Sequence, residues 1–222
     1  MQKVTVDLLR ANAEVSNYIT QGNEHLGAIG FTDHGPRHAN LVSSIAYNIL
    51  SRLGFPEREA EIAAIAGYLH DIGNVVGRWS HGQTGAVIAF HILRDMGMPP
   101  EEIAQVVGAI GSHDPEDVGQ PVNNIAAAVI LADKSDVHRS RVRNPDKTSF
   151  DIHDRVNYAV EHSFVRVDEK RKTITLELKI DTKISPVMDY FEIFLTRMVM
   201  CRRAAGFLGC SFELTINDVR LL

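Results

Sequence analysis

Gly67-Tyr68-Leu69-His70-Asp71-Ile72-Gly73 decides how this chain of 222 residues is read. An apolar helical approach through Ile62, Ile65 and Leu69 delivers an imidazole and a carboxylate side by side, and a glycine follows. Working outward, His38 lies upstream, and His81, His113 and Asp133 lie downstream. These residues are far apart in sequence but of one chemical kind. Imidazole nitrogens and carboxylate oxygens, with no thiolate among them, are a coordination shell for a divalent metal. Asp133 closes the apolar run Ile125 to Ala132. An ionised carboxylate in that setting needs compensation, and a cation supplies it.

The surrounding pattern is mostly helical. Apolar residues at helical spacing run from Val6 to Gly27. Thr32-Asp33 offers a cap and Pro36 suits a first turn, so the next helix runs through Leu41, Val42, Ile45, Ile49 and Leu53 to Gly54. Pro56 and the acidic turn Glu57, Glu59, Glu61 open the helix that ends in His70-Asp71, with Gly73 as its stop. Ser80 caps a helix to about Met96, Pro99-Pro100-Glu101-Glu102 starts one ending near His113, and Asn123-Asn124 starts one ending at Asp133. After residue 162 the composition changes. Phe164–Val167 and Thr173–Ile180 alternate as strands about the charged turn Asp168 to Lys172, which predicts a hairpin. A helix from Pro186 to Phe207 and a strand from Ser211 to Ile216 complete the chain. The fold class expected is mainly α: a helical body over 1–162, with a small α+β element of short antiparallel strands and one long helix over 163–222, packed on the first.

The ordered set His38, His70-Asp71, Asp133 resembles the HD superfamily of metal-dependent phosphohydrolases, over roughly residues 30 to 140. The resemblance implies an all-helical HD bundle in which His38, His70, Asp71 and Asp133 bind one metal. One branch carries two further histidines that hold a second metal. It includes the HD-GYP cyclic-dinucleotide phosphodiesterases and the bacterial HD-type diadenosine tetraphosphate hydrolases. His81, followed by Gly85-Ala86, and His113 stand at comparable places. The expectation is therefore a dinuclear site bridged by Asp71, holding two divalent transition-metal ions, Fe or Mn first, with Ni or Zn also compatible. The chain departs from HD-GYP proteins in having Asn74 where they carry Lys, and in lacking the Gly-Tyr-Pro triplet, so cyclic di-GMP specificity is not implied.

Other polar residues lie close in sequence to these ligands. His34, four residues before His38, projects from the loop ahead of that helix and is a candidate substrate contact. Lys134 follows a ligand directly and is a candidate both for substrate binding and for offsetting charge on a transferring phosphoryl group. Arg139, with Arg143 on the same face if the helix continues, is a further candidate phosphate contact, and Arg141 a weaker one. Arg78-Trp79 could stack on a base. No partners are assigned to His25, His91, His138, His153 or His162.

Composition bounds the function. The net charge of −5 makes no case for duplex nucleic acid but is compatible with a small phosphorylated, nucleotide-like substrate. The longest apolar run is far short of the ~20 residues a membrane helix needs, and the start lacks a secretory core, so no membrane and a cytoplasmic location are expected. Cys201 and Cys210 form no metal motif and read as packing residues in a reducing compartment. No Ser-His-Asp arrangement or Gly-rich phosphate loop appears. A metal-activated water, with Asp71 at its centre, is then the expected nucleophile. Two other readings stand beside it: a di-iron oxygenase on the same core, and a metal-dependent sensor without turnover. A homodimer is left open.

Overall fold

The computed structural model describes residues 3–114 and 119–221. Two helices form the centre. α4 (Glu57–Leu69) is buried continuously from Ile62 to Leu69, and α7 (Asn124–Lys134) from Ile125 to Lys134. A helix apolar on every side belongs in a core, and both are enclosed. α1 (Val6–Ala11), α2 (Ala13–Ala28), α3 (Pro36–Arg52), α5 (His81–Asp95) and α6 (Pro100–Gly111) pack round them. A 3-10 turn, Ile72–Val75, links α4 towards α5.

The C-terminal part is built from α8 (Ile152–Ala159), β1 (Val160–Asp168), β2 (Thr173–Ile180), α9 (Val187–Phe207), β3 (Ser211–Ile216) and β4 (Val219–Arg220). The four strands form one sheet in the order β1-β2-β3-β4. α9 packs on both α7 and the sheet, and residues of the helical body and the sheet share one hydrophobic core. Among the described residues no helix is long and apolar enough to cross a membrane.

Several local expectations are corrected. The helix expected over Val6–Gly27 breaks at Asn12, which is extended (φ −80°, ψ 116°) and accepts from the backbone N–H of Glu14 and Val15. An Asn side chain satisfies helix N-terminal donors better than it fits a helix interior. The cap of α3 is Gly35, without a side-chain bond, and neither Thr32 nor Asp33 takes that role. Ser80 precedes α5 but sits in the left-handed region (φ 56°, ψ 28°) and makes no side-chain cap. Strand pairing is mixed. β1–β2 and β3–β4 are antiparallel, whereas β2 and β3 run parallel, because α9 carries the chain back across the sheet. β1 starts at Val160, ahead of the expected Phe164, with a register irregularity between Val160 and His162. α7 ends at Lys134, so Arg139–Arg141 forms a separate 3-10 turn and not the continuation that would align Arg139 with Arg143.

Gly73 does not end α4; it lies in the 3-10 turn, in tight contact with α5. A Cβ there would overlap the carbonyl oxygen of His81 and the backbone nitrogen of Gly85. The absent side chain lets the His70-Asp71 segment approach the first turn of α5.

Candidate metal centre

Five helix ends meet at one place. His70 and Asp71 follow the C-terminus of α4, His113 follows α6, and Asp133 lies in the last turn of α7. His38 comes from the first turns of α3, and His81 opens α5. Three helix C-termini, each a partial negative charge, therefore border the carboxylates. All four histidines are buried.

Their ring nitrogens are sorted by hydrogen bonding. His38 Nδ1 is 2.7 Å from Asp136 Oδ2, and His70 Nδ1 is 2.8 Å from the Gly67 carbonyl oxygen. His81 Nδ1 is 3.0 Å from the Arg78 carbonyl oxygen, and His113 Nδ1 is 2.6 Å from that of Ile110. Each Nδ1 faces an acceptor and so carries the proton, which leaves the Nε2 lone pairs as acceptors. Those lone pairs converge in two couples. His38 Nε2 and His70 Nε2 are 3.1 Å apart, as are His81 Nε2 and His113 Nε2. Two facing lone pairs at that distance repel unless a proton or a metal cation lies between them.

Asp71 sits between the couples. Its Oδ2 lies 3.5 Å from His38 Nε2 and 3.3 Å from His70 Nε2. Its Oδ1 lies 3.2 Å from His81 Nε2 and 3.8 Å from His113 Nε2. Asp133 Oδ1 completes the first group, 3.4 Å from His38 Nε2 and 3.7 Å from His70 Nε2. Asp71 Oδ2 is buried and makes no hydrogen bond of its own. An orphaned carboxylate oxygen facing paired imidazole lone pairs fits a divalent cation.

The electrostatics agree. Burial by itself would raise the Asp71 carboxyl, but His70, His113 and His81 outweigh it and hold it well below the usual carboxylate range. Asp133 is likewise held low against burial, by Lys134, His38 and His70. Burial would lower His70, yet Asp71 and Asp133 push it up to about 10. The pocket thus calls for positive charge at the point where His38, His70 and both carboxylates meet. His113, with burial dominant, is lowered.

Some expected residues join this group and others do not. The His34 ring lies edge-on to His38 with centroids 5.4 Å apart, and burial, then Arg141, holds it well below its ordinary value. Lys134 Nζ lies 2.5 Å from Asp133 Oδ2, committed to that carboxylate rather than pointing outward. Arg139 is not brought to the group: it pairs with Glu161 at 3.0 Å and lies over the Tyr158 ring. The 3-10 turn after α7 directs it there. Arg143 is held by Asn23. Trp79 is 76% exposed, while its neighbour Arg78 turns inward to His81 and Asp114.

Two acidic residues escaped the sequence reading. Asp136, buried, accepts a hydrogen bond from His38 Nδ1 and pairs with Arg37 at 2.6 Å. Asp114, also buried, places Oδ2 3.4 Å from His81 Nε2 and forms a candidate metal group with His81 and His113. The second dyad, His113-Asp114, was a signal for it.

The family match agrees with this geometry. Residues 37–138 match the family described as the HD domain, a span that contains all six expected ligands. The chain carries an HD domain. Uncharacterized protein MJ1020 of Methanocaldococcus jannaschii is 28% identical over 211 residues, covering 84% of this chain and 81% of its own. A crystal structure of a predicted HD superfamily hydrolase from an uncultured Thermotogales bacterium is 24% identical with a TM-score of 0.44, covering 60% of this chain and 74% of that one. The HD domain match and the His/Asp groups together support a metal-dependent hydrolase.

Proposed function

We propose that this protein is a phosphohydrolase that binds two divalent transition-metal ions, Fe or Mn first, and cleaves a small phosphorylated substrate of nucleotide size. The observation that carries the reading is the pairing of four Nε2 lone pairs on the two oxygens of Asp71. By these distances one group would consist of His38, His70, Asp71 and Asp133, and the other of His81, His113 and Asp71, with Asp114 beside it. When bound, such ions supply Lewis acidity, lowering the pKa of water and polarising phosphoryl oxygens.

The chain's own groups have distinct parts. The Gly67, Arg78 and Ile110 carbonyl oxygens and the Asp136 carboxylate fix the four imidazole tautomers. Lys134 offsets the charge of Asp133 and so tempers the negative field that an incoming phosphate meets. A cavity of about 310 Å³ adjoins the site, reached by His34, Arg78 and Arg141. That volume lies at the small end of ligand sites. His34 Nδ1 is 2.7 Å from the Thr32 carbonyl oxygen, which leaves Nε2 free to accept a proton or a hydrogen bond from substrate. Arg78, Arg141 and Arg197 in the cavity lining favour an anionic substrate.

The test is hydrolysis of a panel of phosphomonoesters, nucleotides and dinucleotides with and without Mn or Fe. The reading expects at least one substrate to turn over and a chelator to stop it. Turnover that survives complete metal removal contradicts it.

A further inference from the structure

The cavity beside the His/Asp set contains a cation that, among the described residues, no carboxylate pairs with. Arg78, Arg141 and Arg197 all line it. Arg78 is paired with Asp114 at 3.2 Å. Arg141 donates to the Asp136 carbonyl oxygen at 2.7 Å and lies 3.7 Å from its carboxylate. Arg197 differs. Among the described residues it forms no ion pair and no hydrogen bond, and its guanidinium lies 4.5 Å over the Phe194 ring. It projects from α9, outside the HD-matched residues 37–138.

A half-buried guanidinium facing other cations is costly to keep. Burial, and then Arg141 and Arg78, press its pKa down, while Asp133 works the other way. The Phe194 face offsets part of that cost. An anion in the cavity offsets far more, and the planar fork of Arg197 suits two phosphoryl oxygens. Asp151, just before α8, and Asp154, on it, also line the cavity, together with His153 between them. The two carboxylates repel a chain of further phosphates.

We propose that Arg197 holds the phosphoryl group of the substrate and that the cavity selects a single phosphate over a polyphosphate. The proposal rests on the phosphohydrolase reading and gives the C-terminal element a role: α9 completes the substrate pocket of the HD domain. Asp151 and Asp154 then border the leaving group rather than a second anion.

The experiment measures calorimetric binding of inorganic phosphate and of tripolyphosphate to the metal-loaded protein, wild type beside Arg197→Met and Arg197→Lys. Loss of a charge-assisted bidentate contact is expected to weaken phosphate binding about tenfold to a hundredfold in Arg197→Met. Arg197→Lys, which keeps the charge and loses the fork, should recover part of it. Wild type should bind phosphate more tightly than tripolyphosphate. Thermal unfolding of each variant separates lost contact from lost fold, and Arg197→Gln replaces Arg197→Met if the latter does not fold. Equal phosphate affinity in wild type and the neutral variant, or no phosphate binding by wild type, overturns the role of Arg197. Tighter binding of tripolyphosphate overturns the selectivity. Phosphate binding lost in the variant, with no ester turned over by wild type, keeps Arg197 as a phosphate-binding residue and removes the phosphohydrolase reading, and with it the part of this inference that concerns substrate.

Discussion

Asp136→Asn probes the support of the site without touching a proposed ligand. The Asp136 side chain is 1% exposed, with Oδ2 2.7 Å from His38 Nδ1 and 2.6 Å from Arg37 Nη2. Both partners donate, so the Asn oxygen takes the Oδ2 position and the His38 tautomer survives. What is lost is the charge: His38 Nε2 becomes a poorer donor to a cation, and Arg37 and Arg141 keep only a neutral partner. A hydrogen bond to a charged group contributes about 1.5–3 kcal/mol, and weakening it corresponds to about a tenfold to hundredfold loss of metal affinity. Removing the charge beside the buried Arg141 adds a stability loss of up to about 3–5 kcal/mol, and the more exposed Arg37 adds little. The assay is competitive metal titration beside chemical denaturation of metal-free protein. Metal affinity within twofold of wild type, in a protein that folds normally, would refute the argument that Asp136 polarises His38.

Three further outcomes are expected. Gly73→Ala, whose Cβ would overlap the His81 backbone, should cost about 1–3 kcal/mol in denaturation and lower metal uptake, because α5 must move and carry His81 with it; unchanged stability would show that the approach is not tight. Asp71, Asp133 and Asp136 all titrate below the ordinary carboxylate range when folded, so their contribution is present above the unfolded pKa and is lost as pH falls through the folded ones. Metal-free protein should hold its Tm down to about pH 4 and lose it steeply below, less steeply in Asp136→Asn, and a Tm independent of pH in that acid range would contradict this. Lys134→Met leaves Asp133 without its 2.5 Å partner and should lower kcat more than it raises KM, as seen in steady-state kinetics on the substrate found; unchanged kinetics would remove Lys134 from the machinery.

Much of the fold was legible because the two central helices are so apolar. Ile62 to Leu69 and Ile125 to Ala132 can only be core, and each ends in a residue that a core does not tolerate unpartnered: His70-Asp71 and Asp133. That contradiction between a run and its ending marked Asp133 from sequence, the adjacent dyad marked His70-Asp71, and the structure brings His38, His81 and His113 to the same place. What was hidden depends on tertiary contact. Asp136 sits in a polar stretch with no periodicity, and only folding sets it behind His38. Arg197 lies sixty-odd residues from the last ligand, on a helix whose pattern reports its packing against α7 and not the cavity it reaches. The parallel pairing of β2 with β3 follows from where α9 crosses, which strand alternation does not encode. Asn12 was a local signal, and the apolar period over Val6–Gly27 masked it.

The central claim is that Asp71 stands between two metal positions, and metal content per chain tests it most directly. Protein loaded with Mn or Fe and freed of excess should contain about two ions per chain by elemental analysis, as a two-metal site requires. His81→Ala and His113→Ala should fall to about one and keep the group at His38, His70 and Asp133, while Asp71→Ala should lose both. One ion per chain in wild type, unchanged in His81→Ala and His113→Ala, would contradict the account.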